Sequence, residues 1–178
     1  MNFISSKQEL LETVSQIHFD CHELVKQVFG QYYPVAGNIG VFCHLDEEYE
    51  VLTELRKEMT TDTGNPNQKY YPLGRPIIIS AKDDVPDTTY THLYIRKPDS
   101  SAYGEYLGDV DFVLSEDEYT KIKNKLLAGR NIKGAKIYDR PGWDTIEISD
   151  PEINSIAFLS TKEFSERVRV KFTADTNL

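Results

Sequence analysis

Cysteine is scarce in this chain, and positive charge is scarcer than negative. Cys21 and Cys43 are the two cysteines; they build no disulfide framework and no Cys-x-x-Cys pair, so both read as reduced, buried thiols. No apolar run approaches the roughly 18 residues of a membrane span, and MNFISSKQEL lacks a basic segment followed by a long apolar one. The expected setting is cytoplasmic, with no membrane partner. Lys and Arg number 20 against 29 Asp and Glu, a net charge of −9. A surface of that sign repels phosphate backbones, excludes nucleic acid as the expected partner, and favours cationic ligands or basic proteins. P-loop, dinucleotide fingerprint and nucleophile elbow are missing as well, which removes the conventional nucleotide-binding and hydrolase readings. Low-complexity tracts are absent from the 178 residues, and the composition is that of one globular domain spanning 1–178.

What is present is organised around an echo. The phrase HLDEEYEVLTEL (44–55) returns as LSEDEYTKIKNKL (114–126), each time after a short apolar run opened by glycine, GNIGVFC (37–43) and GDVDFVL (108–114). An acidic, Tyr-containing helix is expected at each, over about 46–60 and 115–128. Tyr-rich and β-branched segments follow: KYYPLGRPIIIS and YTHLYIRK in the first half, AKIYDRPGWDTIEIS and NSIAFLS in the second. Breaks at Pro72 to Arg75 and at Arg140 to Trp143 give a strand, a helix and three strands, twice. The fold class is therefore α+β: paired βαβββ modules over 37–98 and 108–161 in a curled, mostly antiparallel sheet. A long helix precedes them and a C-terminal tail, 162–178, follows.

That first helix, 6–30, opens with a capping box, Ser6 with Glu9, and closes at Gly30. Leu10, Val14, Ile17, Cys21, Leu24 and Val28 form one stripe, which either packs on the domain or forms the seam of a homodimer.

Alternation assigns faces to the strands. Ile39, Val41 and Cys43 oppose Asn38, Gly40 and Phe42, and Val110, Phe112 and Leu114 oppose Asp109, Asp111 and Val113. Leu93 and Ile95 oppose His92, Tyr94 and Arg96. Ile146 and Ile148 oppose Thr145 and Glu147, and Ile156 and Phe158 oppose Ser155, Ala157 and Leu159. The apolar sets belong under the helices, which leaves one largely polar sheet face that becomes a cup if it curls.

This order of elements resembles the vicinal oxygen chelate superfamily of glyoxalases, extradiol dioxygenases and bleomycin-resistance proteins. The resemblance covers about Gly37 to Thr161 and includes SDPEINSIAFLS (149–160), similar to the family's closing turn and strand. It implies a cup-shaped site with metal ligands from the first and last strand of each module. The opening-strand positions correspond to Asn38 and Asp109, and the closing-strand positions to Tyr94 (or His92) and Ala157. Ala157 offers no side-chain ligand, so a metal site of that kind is incomplete, and the resemblance points as much to a binding cup as to an enzyme.

Candidate chemistry follows from the polar face. The ligand-binding residues are Asn38, His92, Tyr94, Arg96, Asp109, Asp111, Glu147 and Trp143, the last in RPGWD, read as a hairpin turn over the sheet edge. His92, Asp109, Asp111 and Glu147 are the types that hold Fe(II), Mn or Zn; His92, Asp109 and Glu147 are the metal candidates, set against a face that holds no cofactor. His18, Cys21 and His22 share one helix face at zinc-permissive spacing, yet lack a fourth ligand. They read more simply as the stripe and its polar border. Cys43 and His44, adjacent on a strand, point opposite ways and make no catalytic pair. Tyr90, Tyr94, Tyr103 and Tyr106 bracket the module junction and suit planar or cationic ligands or a protein interface. The leading expectation is a sequestering protein for a cationic or amphipathic small molecule. Two alternatives are a metal-dependent lyase, isomerase or dioxygenase with Tyr94 as acid, and an acidic interaction or immunity-type module.

Overall fold

The computed structural model describes residues 3–65, 67–140 and 143–173. Helix α1 (Lys7–Phe29) begins where the sequence places it. The Ser6 hydroxyl accepts from the Glu9 amide at 3.3 Å, and the Glu9 carboxylate takes the Ser5 amide at 2.9 Å, so the capping box reaches back one residue further than the usual pattern. Gly30, at φ +73°, closes it in the left-handed conformation.

Strand β1 (Val35–Phe42) leads into α2 (Asp46–Met59), β2 (Tyr71–Ile79) and β3 (Thr88–Arg96). After a 3-10 turn at Ala102–Glu105 come β4 (Gly108–Leu114), α3 (Glu116–Leu127), β5 (Ala135–Arg140), β6 (Trp143–Ile148), β7 (Ile156–Thr161) and α4 (Lys162–Thr173). The echoed phrases are α2 and α3. Ser115 caps α3, exchanging hydrogen bonds with Glu118. In α2 the capping hydroxyl is missing, and the buried Glu48 carboxylate substitutes by accepting the amides of His44 and Ile4.

The seven strands form one mixed sheet in the order β2-β3-β1-β4-β7-β6-β5. β1 runs parallel to β3 and β4 parallel to β7, while β1 and β4 meet antiparallel at the centre. The fold is thus α+β with a long N-terminal helix, and the sheet does not close into a barrel. In the first half the expected break at Pro72 to Arg75 is absent. β2 is a single strand whose register against β3 shifts between Pro72 and Ile77, so two strands follow α2, not three. β2 lies at the sheet edge, where proline's missing donor costs no second ladder.

The core lies on one face. Leu10, Val14, Ile17, Cys21 and Leu24 of α1 are fully buried against Ile39, Val41, Val110 and Phe112, so the α1 stripe packs on its own domain. His18 and His22, expected at the polar border of that stripe, are buried with it. The His18 Nδ1 is 2.9 Å from the Tyr90 hydroxyl, and the His22 Nδ1 is 2.8 Å from the His18 carbonyl. Burial lowers both imidazoles from their ordinary value, His18 to about 3. Cys21 and Cys43 are buried free thiols.

Two further expectations change. Register pairs Asp109 with Ile156 and Asp111 with Phe158. Laterally paired residues share a face, so Ile156 and Phe158 stand with the carboxylates, while Ala157 and Leu159 join the core under α1. The phase read for this strand is inverted, because IAFLS is apolar at nearly every position. The segment from 162 is not a tail up to Thr173: it forms α4, which contacts β1, β4 and β7.

Candidate functional site

The face of the sheet opposite α1 carries a cleft of about 430 Å³. Asp109 and Asp111 of β4 form its floor, placed two residues apart by strand alternation. On one side Tyr94 of β3 stands beside Tyr70, their ring centroids 5.8 Å apart. On the other, Tyr103, Tyr138 and Phe158 form a mutual cluster with centroids 5.9 to 6.3 Å apart. Trp143, at the start of β6, joins the lining and packs edge-on against Phe164 of α4. Its neighbours Pro141 and Gly142, which complete the expected hairpin turn, lie outside the described residues, and Trp143 serves the cleft instead of the sheet edge.

Charge at the floor is unbalanced. Burial raises the Asp109 carboxyl well above the ordinary carboxylate range, and the neighbouring Asp111 adds to the rise. Asp111 is raised by burial too, opposed by the Asn38 amide, which donates to it at 2.6 Å, and by Arg169. Two neighbouring carboxyls raised in this way cannot both ionise cheaply. Lys69 and the exposed Lys97 stand at the cleft's edge, and the arginines and Lys136 have partners of their own. Arg96 pairs with Asp99 and lies over the rings of Phe42 and Tyr103. Lys136 pairs with Glu147 at 2.8 Å. Arg169 donates to the Ala36 carbonyl at 2.7 Å.

Tyr94, Arg96, Asp109, Asp111 and Trp143 are thus brought together as the sequence suggested, and Asn38 supports Asp111 from a small adjoining recess beside α4. Glu147 is buried beneath the aromatic cluster and accepts from the Tyr103 hydroxyl. His92 shares the face but pairs across β3 and β1 with Asn38, outside the cleft lining. Burial and the Arg169 charge lower its imidazole to about 4.

The metal set does not assemble. Strands lie about 4.8 Å apart, so His92 on β3 and Glu147 on β6, four strands away, are separated by roughly 19 Å along a flat sheet, far beyond a shared ion. Among the described residues no group of three or more His, Cys, Asp or Glu is placed to hold a metal. That covers His18, Cys21 and His22 as well: the two imidazole rings lie 4.1 Å apart, but the Cys21 thiol turns to the Ile156 carbonyl. The closing-strand position on the site face is Phe158 rather than Ala157.

Sequence reasoning missed Tyr70, Tyr138, Phe158, Phe164 and Arg169. Tyr138 was legible from its pairing with Thr145 in a hairpin. Tyr70 sits in a loop, and Phe164 and Arg169 belong to a helix whose polar sequence hid it. No helix among the described residues is long and apolar enough to cross a membrane. Comparison with protein-family models, curated proteins and solved structures finds no match to this chain.

Proposed function

We propose that this cleft binds an organic cation of amphipathic character and holds it without chemical turnover, as a sequestering small-molecule-binding protein. The carrying observation is the carboxyl pair Asp109 and Asp111 on the cleft floor, set between two tyrosine-rich walls. An ammonium group entering between aromatic faces gains cation–π attraction, and its positive charge favours the ionised form of both carboxyls. The tyrosines and Phe158 supply apolar area for the body of the ligand.

The sheet is read as a cup of the vicinal oxygen chelate kind, built from two halves related across the β1–β4 seam. Support comes from the matched pairings: β1 with β3 and β4 with β7 are both parallel, and the seam is antiparallel. α4 then backs one end, Phe164 packing behind Trp143 and Arg169 lining the adjoining recess. In this reading the protein acts in the cytoplasm as a single chain.

A thermal-shift screen of organic cations, with benzyltrimethylammonium as the lead probe, tests the proposal. Ligand at 100 times its dissociation constant adds about 2.7 kcal/mol. The Asp109→Asn, Asp111→Asn double variant is expected to lose the shift, and a wild-type protein insensitive to every cation sinks the proposal.

A further inference from the structure

A second and larger concavity lies on the other side of the molecule, where the outer face of α1 meets the edge strand β2; its volume is about 1010 Å³. Leu11 and Phe19 of α1, Met59 at the end of α2, and Ile77 and Ile79 of β2 make it apolar. Leu11 is 36% exposed, and Ile78, on the same edge, is 70% exposed. Large aliphatic side chains left open along an edge strand are a cost that a chain ordinarily blunts.

The charge around this groove runs against the rest of the protein. Lys7, Arg75 and Lys82 line it with Glu58 as the single acid, in a chain whose net charge is −9. Among the described residues none of the three cations forms an ion pair. Lys82 lies over the Phe19 ring at 5.5 Å, which places its ammonium directly above apolar surface. We infer that the groove between α1 and β2 binds a long-chain aliphatic carboxylate, its tail along Leu11, Phe19 and the isoleucines and its head among Lys7, Arg75 and Lys82.

The alternative occupant of an open edge is an added strand from another chain. Pro76 stands within the groove-lining part of β2 and removes a backbone donor there, and Arg75 is exposed immediately before it. Both features oppose strand addition. A monomeric amphiphile needs no ladder, only apolar length and a cationic rim.

The test is calorimetric titration of the full chain with octanoate, decanoate and dodecanoate, each below its micelle concentration, with dodecyltrimethylammonium titrated into the Asp109→Asn, Asp111→Asn variant as the charge control. One saturable site is expected, tightening roughly three- to four-fold per added CH2. Arg75→Glu with Lys82→Glu, both on exposed side chains, is expected to weaken dodecanoate at least ten-fold with the melting temperature unchanged. Asp109→Asn should leave dodecanoate affinity intact, which separates this site from the cation cleft. The inference is overturned if no carboxylate saturates, if dodecyltrimethylammonium binds the Asp109→Asn, Asp111→Asn variant as tightly as dodecanoate does, or if the charge-reversed variant binds as wild type. It is also overturned if the protein sediments with phosphatidylglycerol vesicles but ignores monomeric dodecanoate.

Discussion

Gly40 makes room for Asp109. The two residues face each other across the β1–β4 seam, and a Cβ on Gly40 would lie 3.0 Å from the Asp109 carboxyl carbon and far inside contact distance of its Oδ1. The floor carboxylate therefore occupies the space that a side chain would take on β1. Gly40→Ala should displace it, costing about 1–3 kcal/mol of stability as an overpacked site and at least ten-fold in cation affinity. Urea unfolding and calorimetry on the same protein check both halves.

The carboxyl pair should make itself felt in the pH dependence of stability. The folded state raises both groups above their unfolded value, so their contribution to stability is fully present below the unfolded pKa and is lost as pH rises through the folded pKa. Asp109→Asn is accordingly expected to match wild type near pH 4 and to melt progressively higher than wild type as pH rises toward 8. A melting difference that is flat with pH would contradict the assignment.

The buried histidines act in the opposite sense. His18 is lowered to about 3 in the fold, against an ordinary value of 6.5. Its neutral form is favoured, and stability falls as pH drops from 6.5 toward 3, with a slope approaching about 1.4 kcal/mol per pH unit for each proton taken up by the unfolded chain. The double substitution His18→Leu, Tyr90→Phe removes the imidazole and its hydroxyl partner together. Chemical denaturation between pH 4 and 7 should show a shallower acid limb. Tyr90→Phe alone, which strands the His18 Nδ1, should cost about 1–2 kcal/mol.

Helix α4 backs the cleft wall through an aromatic contact. Phe164 is buried and meets Trp143 edge-on with centroids 5.9 Å apart. Phe164→Ala should cost about 3 kcal/mol and raise hydrogen exchange across 162–169 more than in β4 or β7. Cation affinity should fall in parallel, because Trp143 loses its support.

Much of this fold can be read from the sequence, and the reasons for the rest are physical. The α1 stripe and the two echoed helices carry strong periodicity, and α1 and α3 carry capping serines, so their positions hold to within a residue or so. β4 and the segments 38–42 of β1 and 92–96 of β3 alternate, which placed Tyr94, Arg96, Asp109 and Asp111 on one face. β7 is apolar on both sides, since Phe158 packs with tyrosines while Leu159 enters the core, and alternation cannot set the phase of such a strand. β2 keeps its prolines inside one strand because it lies at an edge, a fact of topology that local sequence does not carry. α4 has a polar sequence and packs through few residues, so Arg169 and Phe164 gave no periodic signal. His18 and His22 look like border residues until Tyr90 and Phe112 are seen against them.

The most direct test of the carboxyl pair as a cation site is its proton balance. Binding of benzyltrimethylammonium, followed by calorimetry near pH 7 in two buffers of different ionisation enthalpy, should release protons, up to one per cation, as Asp109 and Asp111 ionise together. Asp109→Asn with Asp111→Asn should abolish both the binding and the release. Saturable binding with no proton release, or binding that survives in the double variant, would contradict the assignment of this floor as the cation site.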